Sequence, residues 1–327
     1  MSEESLFETS FVPSDKPSKV LLLGNGIYRA FDDTQTWDNL LQFVACELRK
    51  KGVDVKFGPS EKTSYILYFD YLYTMWKRHR CSDKNETSQW TEFSQELQDY
   101  FDEWFDKQDV DDVERINKMV WSHFNVVLTT NVDNRLENIC DKGWTSRSEG
   151  KWKYSTYRNK TNDNKSIYYI HGSVSHKDSV CFGLDHYLGE SRNLYEYLYG
   201  KKHEEYCSFV GILCGKDQNV KDLQKKSWLY YLFCEDVDIV GQGLDCTEVD
   251  LWWALEKRFQ YKSQNEICNK VRFFMPSLDW TANRGKIEML KALDVEVVII
   301  HCCEYKDFYE KYFAEYAGAN FIETKEK

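Results

Sequence analysis

Six short apolar-rich runs limit what this 327-residue chain can fold into: Leu21–Leu23, Val126–Leu128, Ile167–Ile170, Val237–Val240, Val271–Met275 and Val295–Ile300. Each is too short for a helix, and most show no alternation. This is how strands buried on both faces read. Helical spacing fills the gaps between them. Trp37, Leu40, Leu41, Val44, Ala45 and Leu48 form one stripe, Leu251, Leu255 and Phe259 another, and Lys286 to Leu293 a third. The alternation predicts an α/β fold, a Rossmann-like, mostly parallel sheet with helices on both faces. The first strand is expected at Lys19 to Leu23, followed by a glycine turn and a helix beginning beyond Asp33.

Two helical insertions interrupt this scheme, at about residues 60–120 and 190–232. The first carries aromatic stripes: Tyr65 to Arg80, then Trp90, Phe93, Leu97, Tyr100, Phe101 and Trp104, then Val113, Ile116 and Val120. Aromatics at this spacing predict core packing rather than a ligand box. Lys142 to Lys165 is polar and predicts an exposed loop or hairpin. Residues 1–18 are polar, hold two prolines and are expected to be a flexible segment without an apolar signal core. No stretch approaches a membrane span, so a cytoplasmic protein with no membrane contact is expected. A net charge of −11 disfavours a phosphate-tracking surface, so no direct nucleic-acid partner is expected. The eleven cysteines contain no Cys-x-x-Cys pair, which removes the zinc-ribbon pattern, and reduced, buried thiols are expected. His176, His186 and His301 match no zinc template, and no metal is expected.

Polar residues stand where parallel strands end, which is where an open α/β sheet holds its ligand. The first run ends in Gly24-Asn25-Gly26, the second leads to Asn131 and Asp133, the third to His171, and the fourth to Gly241 and Gly243 with Glu248 beyond. Close glycines permit backbone approach to a phosphate. An Asn and an Asp can hold a ribose and a carboxamide, and a His can act as base near neutrality. Each motif also has a plainer reading: tight turns for the glycines, an Asx turn or helix cap for Asn131 and Asp133, and packing for His171.

Taken in order and at this spacing, the four motifs resemble the sirtuin family, and among its members most closely the bacterial sirtuin-like NAD hydrolases of antiphage defence. The resemblance spans about Val20 to His301 and makes residues 19–327 one sirtuin-like NAD-binding domain. The chain departs from the deacylase pattern in its first loop, in its lack of a zinc ribbon, and in the helix-rich, aromatic-rich segments that stand in the ribbon's place. Its first loop reads Gly26-Ile27-Tyr28-Arg29-Ala30-Phe31-Asp32-Asp33 in place of the Pro-Asp-Phe-Arg segment, and the zinc ribbon of paired cysteines is missing.

The resemblance implies NAD+ as substrate, with Gly24, Asn25 and Gly26 on the pyrophosphate and Asn131 on the nicotinamide ribose and a water. It puts Asp133 on the carboxamide, His171 on the ribose hydroxyls as base, and Gly241, Gly243 and Glu248 on the adenosine side. The expected activity is NAD+ glycohydrolysis to nicotinamide and ADP-ribose, in an abortive-infection effector. Control is expected from homo-oligomer assembly or from a separate regulatory protein such as a sensor, an ATPase or a nucleotide-processing enzyme. The alternatives are an NAD-dependent deacylase or ADP-ribosyltransferase, and a non-catalytic module that binds NAD or ADP-ribose.

Overall fold

A computed structural model describes residues 13–14, 20–59, 64–80, 86–107, 109–138, 143–146, 152–176, 179–200, 227–264, 267–317 and 320–321. Strand β1 (Pro13–Ser14) pairs with β10 (Asn320–Phe321). The rest of the expected N-terminal segment, and residues 201–226 of the second expected insertion, lie outside the described residues.

The main sheet has eight strands. In chain order they are β2 (Val20–Leu23), β3 (Val126–Thr129), β4 (Thr145–Ser146), β5 (Asn159–Asn162), β6 (Lys165–Tyr169), β7 (Val237–Val240), β8 (Val271–Pro276) and β9 (Glu296–Ile300). Their spatial order is β4-β5-β6-β3-β2-β7-β8-β9. The six strands from β6 to β9 run parallel, and β4 and β5 add an antiparallel edge. Numbered by first appearance, the parallel strands follow the Rossmann order 3-2-1-4-5-6, and the order reverses between β2 and β7.

Strand β2 shows why both faces must be covered. Val20 and Leu22 point into one core, packed by α7 (Trp228–Cys234), α8 (Val249–Ser263) and α9 (Arg284–Ala292). Leu21 and Leu23 point into the other, packed by α1 (Gly26–Phe31), α5 (Val110–His123) and α10 (Tyr305–Lys311). Successive strand side chains face opposite sides, so a wholly apolar strand buries both. A third core joins α2 (Trp37–Lys50), α3 (Tyr65–Arg80) and α4 (Glu86–Phe105) through Leu41, Val44, Phe69, Trp76, Phe93 and Phe101. Helices α3 and α4, with α5, span the first expected insertion, at about residues 60–120. Thr36 caps α2 by accepting from the Asn39 amide, and Asp109 caps α5 by accepting from Asp111 and Asp112.

Several elements differ from the sequence-based expectation. The stretch expected as loop before Asp33 holds the short helix α1, which forms because Ile27 and Tyr28 bury fully against the sheet. A 3-10 turn, Arg135–Glu137, follows β3. The polar segment Lys142 to Lys165 does contain a hairpin, yet β5 is buried along its whole length. The Lys160 ammonium there finds Glu137 at 2.8 Å and Ser175 at 3.0 Å, so its polarity is satisfied inside the protein. Helix α6 (Leu184–Tyr199) begins ahead of the second expected insertion at about residue 190 and is capped by Gly200. Pro276 pairs with Ile300 as the last residue of β8, one residue beyond the apolar run that ends at Met275. Among the described cysteines, Cys246, Cys268 and Cys303 are exposed rather than buried as expected. None of the described helices is long and apolar enough to cross a membrane.

Candidate functional site

The two glycine loops meet at the point of strand-order reversal. The Gly24 amide donates to Val240 O at 3.0 Å and the Gly26 amide to Gly241 O at 2.8 Å. A Cβ on Gly24 would stand 2.4 Å from Gly241 O, and one on Gly26 would stand 2.7 Å from it. Gly241 has φ +67, a left-handed conformation that suits glycine. These three glycines are therefore needed to seat loop on loop. Gly243 is different: a Cβ there would meet nothing within 4 Å.

A cleft of about 470 Å³ opens above these loops, in the range of small-molecule sites. Asn25, Gly26 and Arg29 form one wall, and Gly241, Gln242, Gly243, Asp245 and Glu248 another. The end of β8 from Phe273 to Pro276, Lys286 of α9, and Tyr305, Phe308 and Tyr309 of α10 close the far side. At the inner end lies a narrow space of about 10 Å³, lined by Trp37, Tyr65, Val132, His171, Phe182 and Tyr187 among others. Trp37, Thr130 and Glu248 line both spaces.

His171 stands two residues beyond the end of β6, after Ile170. Gly172 (φ +85) turns the chain so tightly that a Cβ there would lie 2.1 Å from Ser179 O. The His171 Nε2 is 2.9 Å from an Asp250 carboxylate oxygen and 3.8 Å from Glu248 Oε2. Burial alone would push the imidazole down. The Asp250 charge and hydrogen bond, followed by the Glu248 charge, outweigh it and hold His171 up at about 9. Burial likewise raises Glu248, to about 7, with His171 pulling the other way and Asp250 and Asp245 adding to the rise. Burial would also raise Asp250, but the His171 imidazolium overrides it and brings Asp250 below its ordinary value. At neutral pH the inner site therefore holds an imidazolium clamped by an ionised Asp250, beside a Glu248 that exchanges its proton readily. The donor atoms of His171, Glu248 and Asp250 lie within 4.8 Å of one another. The direct His171–Asp250 hydrogen bond accounts for that closeness.

Three polar groups here are buried without a hydrogen-bond partner: both carboxamide atoms of Asn131, Glu248 Oε2 and Asp250 Oδ1. Buried polar atoms in folded proteins are nearly always paired, so each exception needs a physical reason. Asn131 follows β3, the strand hydrogen-bonded to β6, and its neighbours Thr130 and Val132 line the narrow space, although Asn131 itself lines neither cavity.

The other expected site residues fall into two groups. Gly26, Asn25, Gly241, Gly243 and Glu248 line the wide cleft, whereas Gly24 sits beneath it against Gln242. Asp133 lines neither space. Its two oxygens accept from the Arg135 guanidinium, each at 2.8 Å. Arg135 in turn lies 3.7 Å from the ring centroid of Tyr28 and donates to Asn25 Oδ1 at 3.2 Å. Asn25 donates through Nδ2 to Gln35 O. Asp133 and Asn25 thus tie β3 to the first loop.

Sequence reasoning missed Asp250, which stands two residues after Glu248 in the first turn of α8. An acid pair spaced i, i+2 at a helix start was the available signal. It also missed the Thr130 hydroxyl bound to Gln242 Oε1 at 2.9 Å, and the aromatic wall of α10. No family model matches the chain, and no curated protein matches it.

Proposed function

We propose that this protein is an NAD+ glycohydrolase that releases nicotinamide and ADP-ribose. The observation that carries the reading is the buried cluster of His171, Asp250 and Glu248 at the inner end of a nucleotide-sized cleft, with unsatisfied polar atoms, at the switch point of a Rossmann-ordered sheet. The resemblance of the four motifs to the sirtuin family points to the same substrate. The nicotinamide ring of NAD+ is cationic, and breaking its bond to C1′ spreads positive charge over the ribose in an oxocarbenium-like state. Fixed carboxylates beside that centre favour the charge in a water-poor site. Ionised Glu248 supplies this field, because the Asp250 charge is taken up by the His171 imidazolium; the glycine loops give the pyrophosphate close access to backbone, and Asn131, set between Thr130 and Val132 of the narrow space, offers its unpartnered carboxamide to the ribose or to the attacking water.

An activity that consumes NAD+ has to be restrained in healthy cells. We place that control in assembly of the chain or in a separate regulatory protein, as an abortive-infection defence effector requires. The test is incubation of the protein with NAD+, alone and with candidate partners. Nicotinamide and ADP-ribose formed in equal amounts without any acceptor support hydrolysis. A product that carries an acyl group, or protein modified with ADP-ribose, would instead identify a transferase. Tight NAD+ binding without turnover in every assembled state would leave a binding module.

A further inference from the structure

The inner site contains three groups able to accept a proton, and they are not equally placed: Asp250 is committed to His171 and lines neither space. His171 spends Nε2 on Asp250 at 2.9 Å and lines only the narrow space. Glu248 lines both the narrow space and the wide cleft, and its Oε2 is buried without a hydrogen-bond partner. Asp245 also lines the wide cleft, but one of its oxygens already accepts from the Thr247 amide and hydroxyl. We infer that Glu248, rather than His171, takes the proton of the attacking water.

The inference rests on the reading of the site as an NAD+ hydrolase. In the step it describes, the water oxygen bonds to C1′ as the C1′–nitrogen bond breaks. The bonding pair goes to the ring nitrogen, which turns the cationic ring into neutral nicotinamide. The water proton passes to Glu248 Oε2 and leaves to solvent through the wide cleft. The overall change is NAD+ and water to ADP-ribose, nicotinamide and a proton. His171 stays protonated throughout, held by Asp250, and donates rather than accepts.

The titratable groups facing Glu248 are His171 after β6, Asp250 on α8, Asp245 in the β7–α8 loop, Tyr65 on α3 and Tyr187 on α6. Burial and the acids raise its proton affinity and the imidazolium lowers it, leaving Glu248 near 7. A base at that value works efficiently at neutral pH. His171, near 9, is already occupied by its proton there.

The experiment compares the full-length wild type with E248Q, E248D and H171Q, each checked for folding by circular dichroism. NAD+ turnover is followed across pH, and binding of ADP-ribose is measured at equilibrium. For E248Q we expect kcat at neutral pH to fall by about 100- to 10,000-fold, the usual contribution of a positioned base. KM and ADP-ribose affinity should stay within about threefold, as expected when only a transition-state interaction is lost. The acid limb of the kcat profile, set by Glu248 in the wild type, should disappear in E248Q, and E248D should recover part of kcat. The inference is overturned if E248Q keeps kcat and the acid limb, if only its KM rises, or if the limb vanishes in H171Q but persists in E248Q. A wild type that cleaves no NAD+ in any assembled state overturns the hydrolase reading itself, and this inference with it.

Discussion

Replacing Asp250 with Asn keeps the shape of the inner site and removes the charge that holds the His171 imidazolium. His171 sits at about 9 against an ordinary 6.5. At about 1.4 kcal/mol per pH unit, that rise corresponds to about 3 kcal/mol of folding stability. The figure agrees with the roughly 3–5 kcal/mol lost when one partner of a buried ion pair is removed. Because the folded value is raised, the contribution is fully present below pH 6.5 and is lost as pH rises through about 9. Glu248 acts in the same direction over a lower window. Its folded value of about 7 exceeds its ordinary 4.5, so stability falls as pH rises between them. Asp250 itself is depressed, so its share is lost only as pH falls through its folded value. In D250N the imidazole is left buried without its partner, and burial favours the neutral ring. Urea unfolding at neutral pH should then show a lower midpoint at unchanged slope, worth about 3 kcal/mol. The wild-type decline toward pH 9 should be missing. Ring-proton NMR reads the titration directly, with a His171→Gln spectrum to assign the signal among the seven histidines. An unchanged midpoint in D250N, or a wild-type His171 that is neutral at pH 7, refutes the ion-pair account.

Asn131→Ala removes a buried carboxamide that makes no hydrogen bond, so turnover should vanish while the melting temperature holds or rises; a drop of several degrees would mean that the side chain is structural. Arg135→Met strands a buried Asp133 carboxylate and should cost about 3–5 kcal/mol in urea unfolding, and a variant as stable as the wild type would show that the pair contributes little. The glycines should separate cleanly. Gly24→Ala forces a Cβ against the Gly241 carbonyl and should cost about 1–3 kcal/mol, whereas Gly243→Ala should melt like the wild type. Gly243→Trp, projecting into the cleft, should weaken ADP-ribose binding by calorimetry at unchanged stability, and full affinity would remove Gly243 from the site.

The sheet was legible because its strands are buried on both faces and so carry continuous apolar runs. All six parallel strands were placed to within two residues at both ends from that feature. Strand β5 was not legible because its polar side chains find their partners inside the protein. Lys160 reaches Glu137, a residue whose proximity depends on the fold. Helix α1 was hidden by its brevity, and α10 by a lack of any expectation beyond the last strand, although Tyr305, Phe308, Tyr309, Tyr312 and Phe313 recur at helical spacing. Within the site, the residues at strand ends could be named because position alone suggests them. Their charge states could not. That His171 carries a proton depends on Asp250, 79 residues away in sequence, and that Asp133 is committed depends on an arginine two residues on that turns back toward it.

Strands β2 and β3 are hydrogen-bonded neighbours, with Leu23 opposite Thr129. Between them the chain runs through α1 and α5, which pack on the sheet, and through α2, α3 and α4, which share their own aromatic core, before it returns one strand spacing away. Closing a longer excursion between two points already joined costs little, about 0.6 kcal/mol for each doubling of length. The helical layer can therefore gain, lose or exchange material at its outer surface while the strand ends that carry Asn131 and His171 keep their register. In such a chain the surface that meets other molecules can change quickly, and the chemical centre can stay as it is.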